Sequence, residues 1–252
     1  MTRIIAIVLA CVLATGCVTV NDRRVDPARA VSTHIQAGLE YLRMGQPNNA
    51  RRHLAKALEI NKKSPEAHNA MALLYRYEQD DEHEEYHYKR ALHYDSDFAP
   101  AHNNYGIFLV RQKRYDEALK QFYKAANNQS YDNRALVYEN IARIYAIQGD
   151  KDQAIENFNK SLRLTSRPNI DVYLEMADLY FLNGDIKHAD FYYSNYAQQV
   201  NPLSARALWL GIRIAAKLHQ ADRVASYELA LKNLYPKSQE YQQWQQWRRS
   251  DS

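Results

Sequence analysis

His102-Asn103-Asn104-Tyr105-Gly106-Ile107-Phe108-Leu109, followed by Tyr115-Asp116-Glu117-Ala118-Leu119-Lys120-Gln121-Phe122, carries the pattern that decides the fold. A small residue, Gly106, is followed three places on by Leu109, twelve places on by the small Ala118 and sixteen places on by the large Phe122. Small residues recur at Gly38, Ala72, Gly106, Ala142, Ala177 and Gly211, at steps of 34, 34, 36, 35 and 34 residues. Three places after each lie Tyr41, Tyr75, Leu109, Tyr145, Tyr180 and Ile214. Twelve places after the first five lie Ala50, Glu84, Ala118, Ala154 and Ala189, and four further on Leu54, Tyr88, Phe122, Phe158 and Tyr193. Small side chains let paired helices cross closely, and large ones fill the space between successive pairs.

This is the tetratricopeptide pattern, and it predicts an all-α chain: a right-handed superhelical stack of about six repeats with a C-terminal capping helix. Apolar positions recur at helical spacing from about Val31 almost to the end, and no stretch alternates as a strand would. Turn signals fall between paired helices at Gln148-Gly149-Asp150 and Asn183-Gly184-Asp185, and Pro65, Pro100, Pro168, Pro202 and Pro236 stand at or near repeat junctions. Two departures carry expectations of their own. Glu84 at a small-residue position predicts a splayed or shifted helix pair in the second repeat. The sixth repeat needs two extra residues to bring Ala225 and Leu229 into register. Tyr241, Trp244 and Trp247 recur every three residues, as on a final helix whose aromatic stripe closes the stack as core.

The N-terminus predicts export. Arg3 is followed by an apolar run from Ile4 to Leu13 and then by Ala14-Thr15-Gly16-Cys17, a secretory signal too short to be a permanent span. Its end resembles a bacterial lipobox, with Ala14 where leucine is usual, so residues 1–16 are expected to be a lipoprotein signal peptide and Cys17 the lipidated first residue. Cys11, the other cysteine, lies in the segment to be removed, so no disulfide is expected in the mature chain. Residues 17–30, rich in polar side chains, are expected to be a lipidated tether, and residues 31–252 the repeat domain. Val18 after Cys17, by resemblance to other Gram-negative lipoproteins, favours the outer membrane.

One motif points to catalysis. His83-Glu84-Glu85-Tyr86-His87 matches the H-E-x-x-H signature of zinc peptidases, and His93 falls where a third ligand would stand. That pattern needs a glycine to break the helix, and Arg90 occupies its place. In an unbroken helix His93 would lie roughly 15 Å from His83 along the axis, beyond a shared metal sphere. Neither catalytic residue, cofactor nor structural metal is therefore expected. The formal net charge of +4, spread among many acidic residues, is not a nucleic-acid footprint.

Function is expected on the concave face of the first helices, at offsets near 2, 5, 9, 12 and 13 within each repeat. These offsets give Asn69, Leu73 and Arg76; Asn103, Ile107, Val110 and Arg111; Leu136, Arg143 and Ile147; and Leu174, Asp178, Phe181 and Leu182. Amide and guanidinium groups among apolar side chains suit an extended peptide. Asn104 and Asn140, one place later, serve either that face or the bracing of the helix pair.

The stretches His102–Gly106, Tyr173–Tyr180, Leu210–Ala215 and Leu234–Tyr241, together with the lipid signal, resemble the PilF/PilW type IV pilus biogenesis lipoproteins. The resemblance covers nearly the whole chain. It implies a monomeric, outer-membrane-anchored pilotin that binds secretin subunits and promotes their localisation and multimerisation. Another periplasmic adaptor, such as a recruiter of peptidoglycan enzymes, stays open beside it.

Overall fold

The computed structural model describes residues 26–250, so Cys17, the signal segment and most of the expected tether lie outside the described residues. Thirteen helices follow one another among the described residues, with no strand: α1 (Pro27–Arg43), α2 (Pro47–Ile60), α3 (Pro65–Glu78), α4 (Asp81–Tyr94), α5 (Ala99–Arg111), α6 (Tyr115–Asn127), α7 (Arg134–Gln148), α8 (Lys151–Leu164), α9 (Ile170–Leu182), α10 (Ile186–Ala197), α11 (Ala205–Lys217), α12 (Ala221–Leu234) and α13 (Gln239–Ser250). Each odd helix up to α11 packs along the even helix after it, and each pair packs on the next, so six repeats form the expected superhelical stack. α13 packs on α11, and Tyr241, Trp244 and Trp247 cover Leu208, Ile212 and Leu231. No helix among the described residues is long and apolar enough to cross a membrane.

Local chemistry sets the ends of these helices. Asp80, Asp150 and Asp185 accept hydrogen bonds from the amides of His83, Gln153 and His188, while Ser64 and Ser204 cap α3 and α11. All six turns inside the repeats place one residue in the left-handed region: Gly45, Gln79, Lys113, Gly149, Gly184 and His219, with φ between 57° and 83°. That conformation ends the first helix and turns the chain back.

The small and large positions meet as the pattern requires. A Cβ added at Gly38 would stand 2.6 Å from Leu54, and one at Gly106 would stand 2.6 Å from the Phe122 ring. Tyr88, Phe122, Phe158 and Tyr193 are fully buried.

Three expectations need correction. α1 begins at Pro27, so residues 27–30 belong to the first repeat and not to the tether; the Asp26 carboxylate caps the helix and Pro27 opens it. The second repeat is not splayed: Tyr88 is buried in one cluster with Ala72, and Glu84 fits at 0% exposure because Arg111 of the third repeat donates to it at 2.6 Å. No insertion is needed in the sixth repeat. Arg223 and Tyr227, twelve and sixteen places after Gly211, fill the register, Tyr227 lies against Gly211, and Ala225 and Leu229 face solvent. Arg223 reaches Asp190 of the fifth repeat at 2.8 Å, so its charge lies at the edge of the crossing and not within it.

Candidate functional site

The odd helices touch one another, α1 with α3, α3 with α5, α5 with α7 and α9 with α11, and so form one wall. In a right-handed stack of such repeats this wall is the concave one. Three regions of different chemistry follow one another along it.

The N-terminal region is apolar and amide-rich. Leu73, Ile107 and Val110 are half-buried on α3 and α5, and Arg76 is exposed at the end of α3. Asn104 Nδ2 donates to Asn69 Oδ1 at 3.1 Å across the repeat boundary, which makes Asn104 a brace between repeats. The equivalent atoms one repeat on, Asn140 Nδ2 and Asn103 Oδ1, are a donor and an acceptor, both buried and both without a partner among the described residues.

The groove expectation fails at Asn103, which is 5% exposed and donates to Asn104 at 3.4 Å. Leu174 is buried as well. Both stand at the fifth place of their repeats, which points between neighbouring first helices and not into the groove. Arg111 is engaged too: it bridges Glu84 and Asp81, the latter at 2.7 Å. Burial pushes the Glu84 carboxyl up, and the guanidinium of Arg111 offsets only part of that.

The middle region is an ion-pair network. Arg143 on α7 holds Glu175 of α9 at 3.1 Å and Glu139 of its own helix at 3.2 Å. Burial raises the Glu175 carboxyl, and Arg143 opposes the shift. Arg143 therefore ties two repeats together as well as facing the groove. Beside it Ile147 is 60% exposed, and Leu136 and Leu182 are exposed in the same way. A patch of solvent-facing aliphatic side chains around a fixed charge network is a surface that can gain by being covered.

The C-terminal region is aromatic and basic. Phe181 lies with its ring 4.8 Å from the guanidinium carbon of Arg213, which also faces Trp209 at 5.4 Å. The sequence offsets named Phe181 but missed Arg213, Trp209 and Trp247, because the groove pattern was not carried into the sixth repeat. The basic and aromatic content of Trp209-Leu210-Gly211-Ile212-Arg213 was the available signal.

The histidines of the peptidase-like motif go to different partners. His83 Nδ1 lies 2.8 Å from Asp80 Oδ2, whereas His87 is buried with its Nδ1 2.9 Å from His68 Nδ1. His68 Nε2 donates to the Lys62 carbonyl at 3.1 Å, so in the neutral pair His87 donates and His68 accepts. Burial first, then the neighbouring His68, His83, Arg90 and Arg51, hold His87 down at about 4. No group of three or more potential ligands converges on a metal position among the described residues. The same contact recurs at His34 and His53, 3.1 Å apart, and at His102 and Gln121, 2.7 Å apart. These pairs are repeat architecture.

Comparison with known proteins places this geometry. Tetratricopeptide-repeat profiles match residues 31–64 and 97–167. The chain is 41% identical over 248 residues to the type IV pilus assembly protein PilF of Pseudomonas aeruginosa, covering 96% of this chain and 98% of that protein. The solved structure of that PilF superposes with a TM-score of 0.80 over 87% of this chain and 98% of its own. The crystal structure of PilW, described as a widely conserved type IV pilus biogenesis factor, superposes with a TM-score of 0.71 at 27% identity, over 85% of this chain and 98% of its own.

Proposed function

The chain belongs to the PilF/PilW family of type IV pilus biogenesis proteins, and we propose that it acts as a pilotin, binding secretin subunits and promoting their localisation to and multimerisation in the outer membrane. The observation that carries this reading is identity sustained at 41% along nearly the full length of both chains, the repeat wall included. The repeat scaffold and this kinship point to an adaptor without catalytic activity.

The physical argument starts from the anchor. Cys17, acylated, would tether the chain at its first residue, and several acyl chains at about 0.8 kcal/mol per buried methylene make the attachment lasting. A secretin subunit that has not closed into its ring exposes strand edges and apolar surface, which invite aggregation. An escort that covers one such segment on its wall while lipid fixes the destination solves both problems. Leu73, Ile107, Val110 and Ile147 would cover the segment, and the fixed charges of Arg143 and Glu175 would set its register.

The test is a paired measurement on Leu73→Asp combined with Ile147→Asp. Both side chains reach solvent, so circular dichroism should show an intact helical fold, while detergent-resistant secretin multimers should fall severalfold and monomers accumulate in the inner membrane. Normal multimer yield from the folded double variant would move the binding surface elsewhere. Normal yield in a strain lacking the protein would end the pilotin reading. Cys17→Ser should release folded protein into the periplasm, and its persistence in salt-washed outer membrane would contradict lipid anchoring.

A further inference from the structure

The wall ends in a cavity whose chemistry differs from the rest. An open cavity of about 420 Å³ is lined by Phe181, Arg213, Ala216, Lys217, His219 and Trp247, contributed by α9, α11, the turn after α11, and α13. One side is aromatic, with Trp247 meeting Trp209 edge-on at 5.9 Å beside Phe181. The other is basic, with Lys217 and His219 exposed to solvent. No carboxylate is among these lining residues, which all belong to the described part of the chain.

Arg213 is the unusual member. Three arginines along the stack are closely neutralised: Arg111 by Glu84 at 2.6 Å, Arg114 by Glu85 at 2.9 Å and Arg143 by Glu175 at 3.1 Å. Arg213 has Asp178 at 3.5 Å, and that carboxylate also serves Arg206 at 3.3 Å. The Arg213 Nε is buried without a hydrogen-bond partner. Burial lowers the guanidinium from its usual range, and Asp178 offsets only part of this. A planar cation fixed between two rings has already lost the freedom it would lose on binding, and its donors match a carboxylate.

We propose that this cavity is a second binding site, one that takes the C-terminal end of a polypeptide. The terminal carboxylate sits on Arg213 and Lys217, and an apolar last side chain lies against Phe181 and Trp247. A chain terminus supplies both chemistries at one point. It also fits the place, because α11 is the last helix of the wall and α13 packs across it, so an extended segment lying along the wall comes to its end here. The site follows from the cavity's own chemistry and holds whichever protein supplies the terminus, so its failure and that of the pilotin reading are separate events.

The experiment uses the full-length chain in detergent and follows tryptophan fluorescence, since Trp247 lines the cavity and Trp209 packs against it. The probe is the pentapeptide Gly-Ser-Gly-Ala-Phe as the free acid, compared with its C-terminal amide and with an amidated peptide carrying an internal glutamate before phenylalanine. The free acid should bind saturably, and both amides should bind about tenfold or more weakly, the loss expected when a charge-assisted pair is removed. Lys217→Gln, at an exposed position, should weaken the free acid severalfold, and Arg213→Gln should remove binding with helical content unchanged. Should Arg213→Gln misfold, Lys217→Gln still decides. Equal binding of acid and amide, no binding of the acid, or indifference to Lys217→Gln would overturn the proposal. An internal glutamate binding as tightly as the free acid would overturn its assignment to a chain terminus.

Discussion

The second and third repeats lie side by side and keep the same register, yet they fill their helix crossings in opposite ways. The third is wholly apolar, with Phe122 against Gly106 and Ala118 beside them. In the second, Tyr88 takes the large position against Ala72, but a buried carboxylate, Glu84, stands where alanine would. The register holds because the residue sixteen places after the small one fills the gap. The residue at twelve is free to be charged when an adjoining repeat supplies the partner. Arg111 does this for Glu84, and Asp190 does it for Arg223 in the sixth repeat.

Moving the charge without its partner should give the largest effect. The fourth-repeat counterpart of Arg111, 36 places on as Ala142 is from Gly106, is Ile147, so Ala118→Glu would bury a carboxylate with no guanidinium to meet it. We expect a loss of about 4 kcal/mol or more in urea unfolding, and roughly 3 kcal/mol for Arg111→Met, which orphans Glu84. Glu84→Ala makes the second repeat like the third and should change stability by less than about 1 kcal/mol, because burying an ion pair gains little over packing an alanine. A large loss from Glu84→Ala would mean that the charge pair, and not Tyr88, holds the register.

The imidazole contacts sharpen the same contrast. In the second repeat His87 sits against His68, and in the third Gln121 takes that place opposite His102. His87 is held at about 4 in the folded chain, below the ordinary value near 6.5. Between those values the unfolded chain binds the proton and the folded chain does not, so stability is full above about pH 6.5 and falls as pH drops toward 4. Burial sets most of this, His68, His83, Arg90 and Arg51 add to it, and Tyr75 stacks on the His87 ring. The loss should be about 2 kcal/mol, and His87→Gln, which copies the third repeat, should remove most of it. Melting temperatures at pH 7 and pH 4.5 decide the matter, and an unchanged acid sensitivity in His87→Gln would place it elsewhere.

The turns give the smallest effect. Gln79 and Lys113 adopt the left-handed conformation that glycine supplies at Gly149 and Gly184. Replacing Lys113 with Gly should stabilise by up to about 1 kcal/mol, and Gly149→Ala should cost about as much, with no steric clash involved because nothing lies within 4 Å of the added Cβ. Thermal melting of the two variants in opposite directions is the check.

Much of this was legible from residue spacing. The recurrence of Gly106, Ala118 and Phe122 gave the helix pairing, and the stripe of Tyr241, Trp244 and Trp247 gave the last helix. The cap formed by Asp26 and Pro27 was legible too, but the polar composition of the preceding segment outweighed it. Asn103 was misplaced because an offset within a helix says which side a residue lies on, while burial depends on how closely the next helix approaches. Arg213 went unread because its meaning depends on Trp209, Phe181 and Trp247, which come from three helices.

The sequence by itself determined the repeat, its phase and the helical class, because these rest on local periodicity and on side-chain size at fixed spacing. Only the tertiary structure decided which charges are neutralised. Glu84 finds Arg111, Arg143 finds Glu175, and Arg213 finds only a distant share of Asp178. Such pairings cross repeat boundaries, 27 to 35 residues apart in the chain, where periodicity sets the neighbourhood but the length and direction of each side chain set the contact.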